Sequence, residues 1–180
     1  MSPRRRRLLS LLVEDFDVRP AAVDETPASG EYPRDLAIRL ARLKAGSVYD
    51  TVDSRYRVLG GDTVVAIGEQ ALGKPANTEQ ARSMLEALSG RSHQVFSAMA
   101  ICDASGIRHT LSESIVTFRK LTDSTIDRYC ATDDPYDKAG GYGIQGGAGA
   151  FVVNLEGSYS GVVGLPLWHT HQLLFPEAPA

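Results

Sequence analysis

The sequence predicts an α/β fold, and three observations point there. Segments with apolar residues at helical spacing are interleaved with strand-like apolar runs. Turn residues such as Gly, Pro, Asn and Asp separate them. Neither an internal repeat nor a sharp change of composition divides the chain. At 180 residues, 43% hydrophobic and 23% charged, it suits one ordinary domain with a sizeable core.

The elements follow in order. Ser2 to about Val13 reads as an amphipathic helix, with Ser2 as N-cap, Pro3 as first helical residue, and Leu8, Leu9, Leu11 and Leu12 on its buried side. A Pro-, Gly- and acid-rich loop, "DVRPAAVDETPASGEYP", leads to a helix over Pro33 to Ala45, with Leu36, Leu40 and Leu43 at helical spacing. "YRVLGGDTVVAIG" is a strand and "QALGKP" returns beside it. Thr78 to Leu88 is a helix capped by Asn77 or Thr78 and closed by Gly90. Strands at Gln94–Ile101 and Ile107–Arg119 join through "DASG". A short helix starts near Thr122, a glycine-rich loop precedes the strand "AFVVNL", and "GLPLWHTHQLL" is the last helix.

Composition excludes several classes. A net charge of −3 argues against a general nucleic-acid coat, and the basic run Arg4–Arg7 has no aromatic platform beside it. Cys102 and Cys130 are too far apart for a zinc knuckle and read as buried thiols in a reducing compartment. "RRRRLLSLLV" imitates a signal peptide, but its apolar run is short and acids follow it. No stretch is long enough to span a bilayer, so a cytoplasmic location is expected, with no membrane partner.

Two glycine motifs mislead. "GEQALGKP", Gly68 to Pro75, opens like a phosphate-binding P-loop, yet Pro75 stands where the Mg²⁺-binding hydroxyl belongs. "GYGIQG" matches a dinucleotide fingerprint, but a loop precedes it and a strand follows. What remains is a backbone able to approach a ligand closely, with Gln145 offering both a donor and an acceptor. Histidines 169 and 171 are two apart and make a poor metal pair on a helix, and His93 reads as structural.

Other residues sit against expectation. Arginines at a helix N-terminus cost roughly 0.3–1 kcal/mol each, a penalty that a bound anion reverses. Oxyanion binding by Arg4 and Arg5 is the better reading, while for Arg6 and Arg7 a solvated basic face and anion binding weigh equally. Asp62 interrupts an apolar strand, where aspartate is disfavoured; an inward carboxylate would bind metal or activate water. Lys44 lies at the margin of an apolar stripe, where a lysine stem usually snorkels, and Glu25 lies in an acidic loop. Alone, neither residue decides anything.

Together these stretches resemble the Maf family of nucleoside triphosphate pyrophosphatases, once described as septum-formation inhibitors. "SPRR", "VDE", "RLARLKA", "GGDTVV", "LGKP", "RSHQV", "DKAGGYGIQG" and "GSYSGVVGLPL" occur in family order over nearly the whole chain. The resemblance implies a long twisted mixed sheet flanked by helices, as in inosine-triphosphate pyrophosphatases, with a cleft between two lobes. It implies conversion of NTP and water to NMP and pyrophosphate. Asp62 would accept the proton of the attacking water and, with Glu25, hold a divalent cation (Mg²⁺, Mn²⁺ or Co²⁺). Ser2, Arg5, Lys44 and Lys74 would hold phosphates, with Lys74 on a strand returning beside Asp62. Arg4, Thr63 and Gln145 match positions that select dTTP and UTP. The substrates are the expected partners, and a homodimer is left open.

Family members carry a short apolar strand before "SPRR", where this chain has only Met1. The expectation is that residues 1–180 fold as one Maf-like domain, less stable and less active than a version carrying that strand. A rival reading is a nucleotide-binding regulator of cell division without turnover. The set Glu25, Lys44, Asp62, Lys74 and Gln145 favours the enzyme, because binding alone has no need of the acid.

Overall fold

The protein is described by a computed structural model covering residues 2–176. The chain runs α1 (Pro3–Leu9), α2 (Pro33–Tyr49), β1 (Val58–Ile67), β2 (Gln70–Leu72), α3 (Thr78–Leu88), β3 (Ser92–Asp103) and β4 (Gly106–Phe118). It continues through α4 (Asp123–Cys130), short 3₁₀ turns at Ala139–Gly141 and Gly147–Phe151, β5 (Val152–Glu156), α5 (Tyr159–Val163) and α6 (Leu167–Leu174).

The strands form a five-stranded sheet in the order β2-β1-β3-β4-β5. Every neighbouring pair is antiparallel, where a mixed sheet was expected. The connections explain this. Gly68, at φ 58°, helps close the β1–β2 hairpin. The Asp103 side chain accepts from the Ser105 N–H in the β3–β4 turn. The passages through α3 and α4 also bring the chain back antiparallel to its neighbour.

Two layers pack on the sheet. On one face, Val64 and Ala66 of β1 and Phe96, Ala98 and Ala100 of β3 bury against Leu36, Ala37, Leu40, Ala41 and Ala45 of α2. On the other, Val65, Val95, Val116 and Phe118 bury against Leu85 and Leu88 of α3, Ile126 and Tyr129 of α4, and Tyr142 and Phe151. Each fully buried Leu or Phe contributes roughly 1.5–3 kcal/mol, so these two layers hold the fold. A smaller cluster joins Met99, Ile101, Leu165 and Leu173 to Leu8 and Leu9 of α1.

One contact sets the geometry that follows. A Cβ on Gly60 would lie 2.5 Å from the Ala45 nitrogen and 2.6 Å from the Ala41 oxygen. Only glycine lets α2 lie this close on β1, and Lys44 and Asp62 flank that contact.

Several boundaries differ from the sequence reading. The first helix stops at Leu9, and Leu11, beyond its end, is 68% exposed rather than buried. The second helix runs on through Gly46 to Tyr49. The segment Tyr159–Val163 is a short helix that the sequence did not suggest. No helix of the described residues is long and apolar enough to cross a membrane.

Candidate active site

A cleft of about 1550 Å³ runs along β1, large enough for a nucleotide. β2 pairs only with Val65–Ile67, and among the described residues β1 leaves its edge from Val58 to Val64 open toward the cleft. Every site residue singled out by the family motifs lines this space. Ser2, Arg4 and Arg5 come from the start of α1, Glu25 from the loop after it, Lys44 from α2, and Asp62 and Thr63 from β1. Lys74 follows β2 as the chain runs back along β1, and Gln145 comes from the glycine-rich loop.

Adjacent strand residues point to opposite faces, which divides the work of β1. Asp62 faces α2. Its Oδ1 accepts from Lys44 Nζ at 2.7 Å, and the same ammonium lies 2.7 Å from Glu25 Oε1. Asp62 is 8% exposed, and among the described residues Lys44 is its one hydrogen-bond donor. A buried carboxylate with unused lone pairs beside a wet cleft can accept a proton from water.

Two carboxylates thus converge on one cationic position, which the ammonium fills. Hard oxygen donors of this kind suit Mg²⁺, Mn²⁺ or Co²⁺, with the remaining ligands drawn from water and phosphate. No cluster of three or more metal-ligating side chains occurs among the described residues.

Thr63 faces the other way. Arg5 donates from Nε to the Gly164 carbonyl at 2.8 Å and from Nη2 to Thr63 Oγ1 at 3.0 Å. Burial lowers the pKa of Arg5 from the ordinary arginine value, while the charges of Asp62 and Glu25 raise it. Ser2 caps α1 by accepting from the Arg5 N–H at 3.4 Å. Arg6 and Arg7 are exposed.

The loop carrying Gln145 is pinned from beneath. Gly140 and Gly141 adopt φ 70° and 69°, and a Cβ on Gly140 would meet Val65 Cγ1 at 2.9 Å. The Gly140 N–H donates to the Gly73 carbonyl at 3.0 Å, tying this loop to the segment of Lys74. Tyr142 OH lies 2.7 Å from His93 Nε2 in the core. Burial lowers the pKa of His93 to about 4 and raises that of Tyr142. The Gly143 N–H donates to Tyr129 OH, which donates to Asp134 Oδ2 at 2.7 Å.

Several contributors went unnoticed in the sequence. Arg39 forms a two-pronged pair with Glu31, at 2.6 and 2.8 Å, and donates to the Thr26 carbonyl, fixing the loop beside Glu25. Lys138 lines the cleft and is held by Asp134 and Asp137. Asp137 also takes Arg4 at 3.2 Å, linking α1 to the glycine-rich loop. Ser97 lies behind Thr63 at 2.9 Å. Lys138, Asp137 and Arg39 stood within recognised motifs; Ser97 gave no local signal.

"GEQALGKP" proves to be a hairpin followed by an extended segment, with α3 starting only at Thr78. The P-loop is absent from it.

A family model described as "Maf-like protein" matches residues 1–176. A protein of Pseudoalteromonas atlantica is 48% identical over 177 residues, covering 96% of this chain and 92% of that protein. One of Shewanella oneidensis is 47% identical over 180 residues, covering 96% and 93%. One of Anaeromyxobacter dehalogenans is 48% identical over 177 residues, covering 96% and 89%. All three bear the name dTTP/UTP pyrophosphatase.

Fold and cleft together define an α/β protein with a cation-rich groove around a buried carboxylate. The chain belongs to the Maf family.

Proposed function

We propose that this protein is a nucleoside triphosphate pyrophosphatase that hydrolyses dTTP and UTP to the monophosphate and pyrophosphate. One observation carries the reading: the buried acid Asp62 shares one cleft with the cations Arg5, Lys44 and Lys74, in a chain sharing nearly half its residues with relatives of that name. Near-full-length identity at this level supports the same reaction.

Asp62 is the proton acceptor in this reading. Water adds to the α-phosphorus and loses a proton to the Asp62 carboxylate, while the bond to the bridging oxygen of the β-phosphate breaks. Pyrophosphate leaves. Lys44, already 2.7 Å from Asp62, is placed to orient both the acid and the α-phosphate. Arg5 and Lys74, which both line the cleft, hold the remaining phosphates, and Ser2 sets the entry to α1. In phosphoryl chemistry most of the rate enhancement comes from positioning and preorganised charge of this kind. A divalent cation held by Glu25 and Asp62 would neutralise charge on the phosphates.

In this reading Arg4, Thr63 and Gln145, which line the cleft, meet the base. The substrate pools of such an enzyme are cytoplasmic, and we place its work there, in clearing nucleotides.

Asp62→Asn tests the assignment, because asparagine keeps the shape and is not a base. With UTP and Mg²⁺, kcat should fall by on the order of 10²–10⁴ with circular dichroism unchanged. A folded variant with wild-type kcat would remove Asp62 from the chemistry.

A further inference from the structure

Behind Thr63 lies a chain of hydrogen bonds whose direction is determined at both ends. Arg5 Nη2 donates to Thr63 Oγ1 at 3.0 Å, Thr63 Oγ1 lies 2.9 Å from Ser97 Oγ, and Ser97 Oγ lies 2.6 Å from the Gly161 carbonyl oxygen. A guanidinium only donates and a carbonyl only accepts. The Gly161 carbonyl belongs to the five-residue helix α5, where carbonyls near the end lack an intrahelical partner. Ser97 is 1% exposed and has one proton, and the Gly161 carbonyl takes it. The Thr63–Ser97 bond must then use the Thr63 proton.

Thr63 is consequently left with lone pairs alone on its cleft side. One accepts from Arg5. The other can accept from a ligand but cannot donate to one.

We propose that Ser97 is a positioning residue for base selection: by taking the Thr63 proton, it makes Thr63 an obligate acceptor that admits a pyrimidine carrying N3–H and rejects one whose N3 is itself an acceptor. The proposal rests on the reading that Thr63 meets the base of dTTP or UTP. Uracil and thymine carry an N–H at position 3, whereas cytosine presents a lone pair there. Two acceptors facing each other leave both unpaired, which costs a buried site more than a lost contact does. The hydroxyl of a threonine could ordinarily turn to suit either base. Here the relay prevents it.

The experiment measures kcat/KM for UTP, CTP and a UTP analogue with carbon in place of N3, on wild type, Ser97→Ala and Ser97→Thr. Ser97→Ala frees the Thr63 proton for the cleft, so the UTP-to-CTP ratio should fall about tenfold, the worth of roughly one hydrogen bond. Ser97→Thr keeps the hydroxyl and should keep the ratio. Wild type should lose about tenfold on the carbon analogue, which reports whether N3–H is read. If Ser97→Ala does not fold, Ser97→Cys, whose thiol is a weak acceptor, should lower the UTP-to-CTP ratio in its place, and an unchanged ratio there overturns the proposal. A purely structural role for Ser97 would lower both substrates together, and an unchanged ratio in folded Ser97→Ala overturns the proposal alone. Wild type that treats UTP and CTP alike overturns the base assignment along with it.

Discussion

Replacing Lys44 with methionine probes the centre of the cleft most sharply. Methionine keeps the length and the apolar stem of lysine but removes the ammonium that lies between Glu25 and Asp62. The side chains of Lys44 and Asp62 are 16% and 11% exposed, so their pair is nearly buried, while Glu25 at 53% can turn to water. Stranding one member of a buried pair costs about 3–5 kcal/mol; the residual exposure here, and the attraction of Arg5 for Asp62, bring that to roughly 2–3 kcal/mol. The Glu25 arm adds no more than about 1 kcal/mol. For a chain of this length the melting temperature should fall by roughly 5–10 °C. The stronger readout is a double-mutant cycle by thermal or urea melts. Lys44→Met combined with Asp62→Asn removes the stranded charge and should be about 1–2 kcal/mol more stable than Lys44→Met alone. Strictly additive losses would refute the claim that Asp62 depends on Lys44 for its charge.

Two further outcomes follow from the geometry. Arg4→Trp with Thr63→Gln places bulk where a pyrimidine is expected to lie, and it should erode the preference for dTTP and UTP over purine triphosphates in a pyrophosphate-release screen; an unchanged ranking would take both residues away from the base. The buried His93 has a pKa of about 4 against an ordinary 6.5. Above pH 6.5 neither folded nor unfolded chain protonates it, so its full contribution is present; as pH falls toward 4 the unfolded chain takes the proton first, and stability drops by roughly 3 kcal/mol. His93→Gln should flatten that part of the melting-temperature profile, and an identical slope in the variant would show that other groups cause it.

Local patterns made much of this molecule legible. The helix α3 is bounded where Asn77 and the apolar spacing place it, and the Asn77 side chain does accept from the Gln80 N–H. Asp62 stood out because an acid inside an apolar strand needs a reason, and the structure places it against Lys44. Sheet direction was harder, because pairing joins residues far apart in sequence: β1 and β3 pair Asp62 with Ala98. Leu11 was misjudged because the apolar run outlasts the helix, and past Leu9 helical spacing no longer assigns a side. α5 was missed because five residues including a glycine carry too little periodicity to separate from a loop. Arg39 and Ser97 act through partners brought near by folding, the Thr26 carbonyl and Glu31 for one, Thr63 and Gly161 for the other. A serine within "VFSAMA" looks like any small residue of a buried strand.

We hold that water activated by Asp62 attacks the α-phosphorus, and isotope labelling reads the site of that attack directly. Turnover of UTP with Mg²⁺ in ¹⁸O-enriched water, followed by mass spectrometry of the products, shows which phosphorus the water attacked. Attack at the α-phosphorus yields UMP carrying one ¹⁸O and pyrophosphate carrying none. Label in pyrophosphate, or release of UDP and orthophosphate, would contradict the claim.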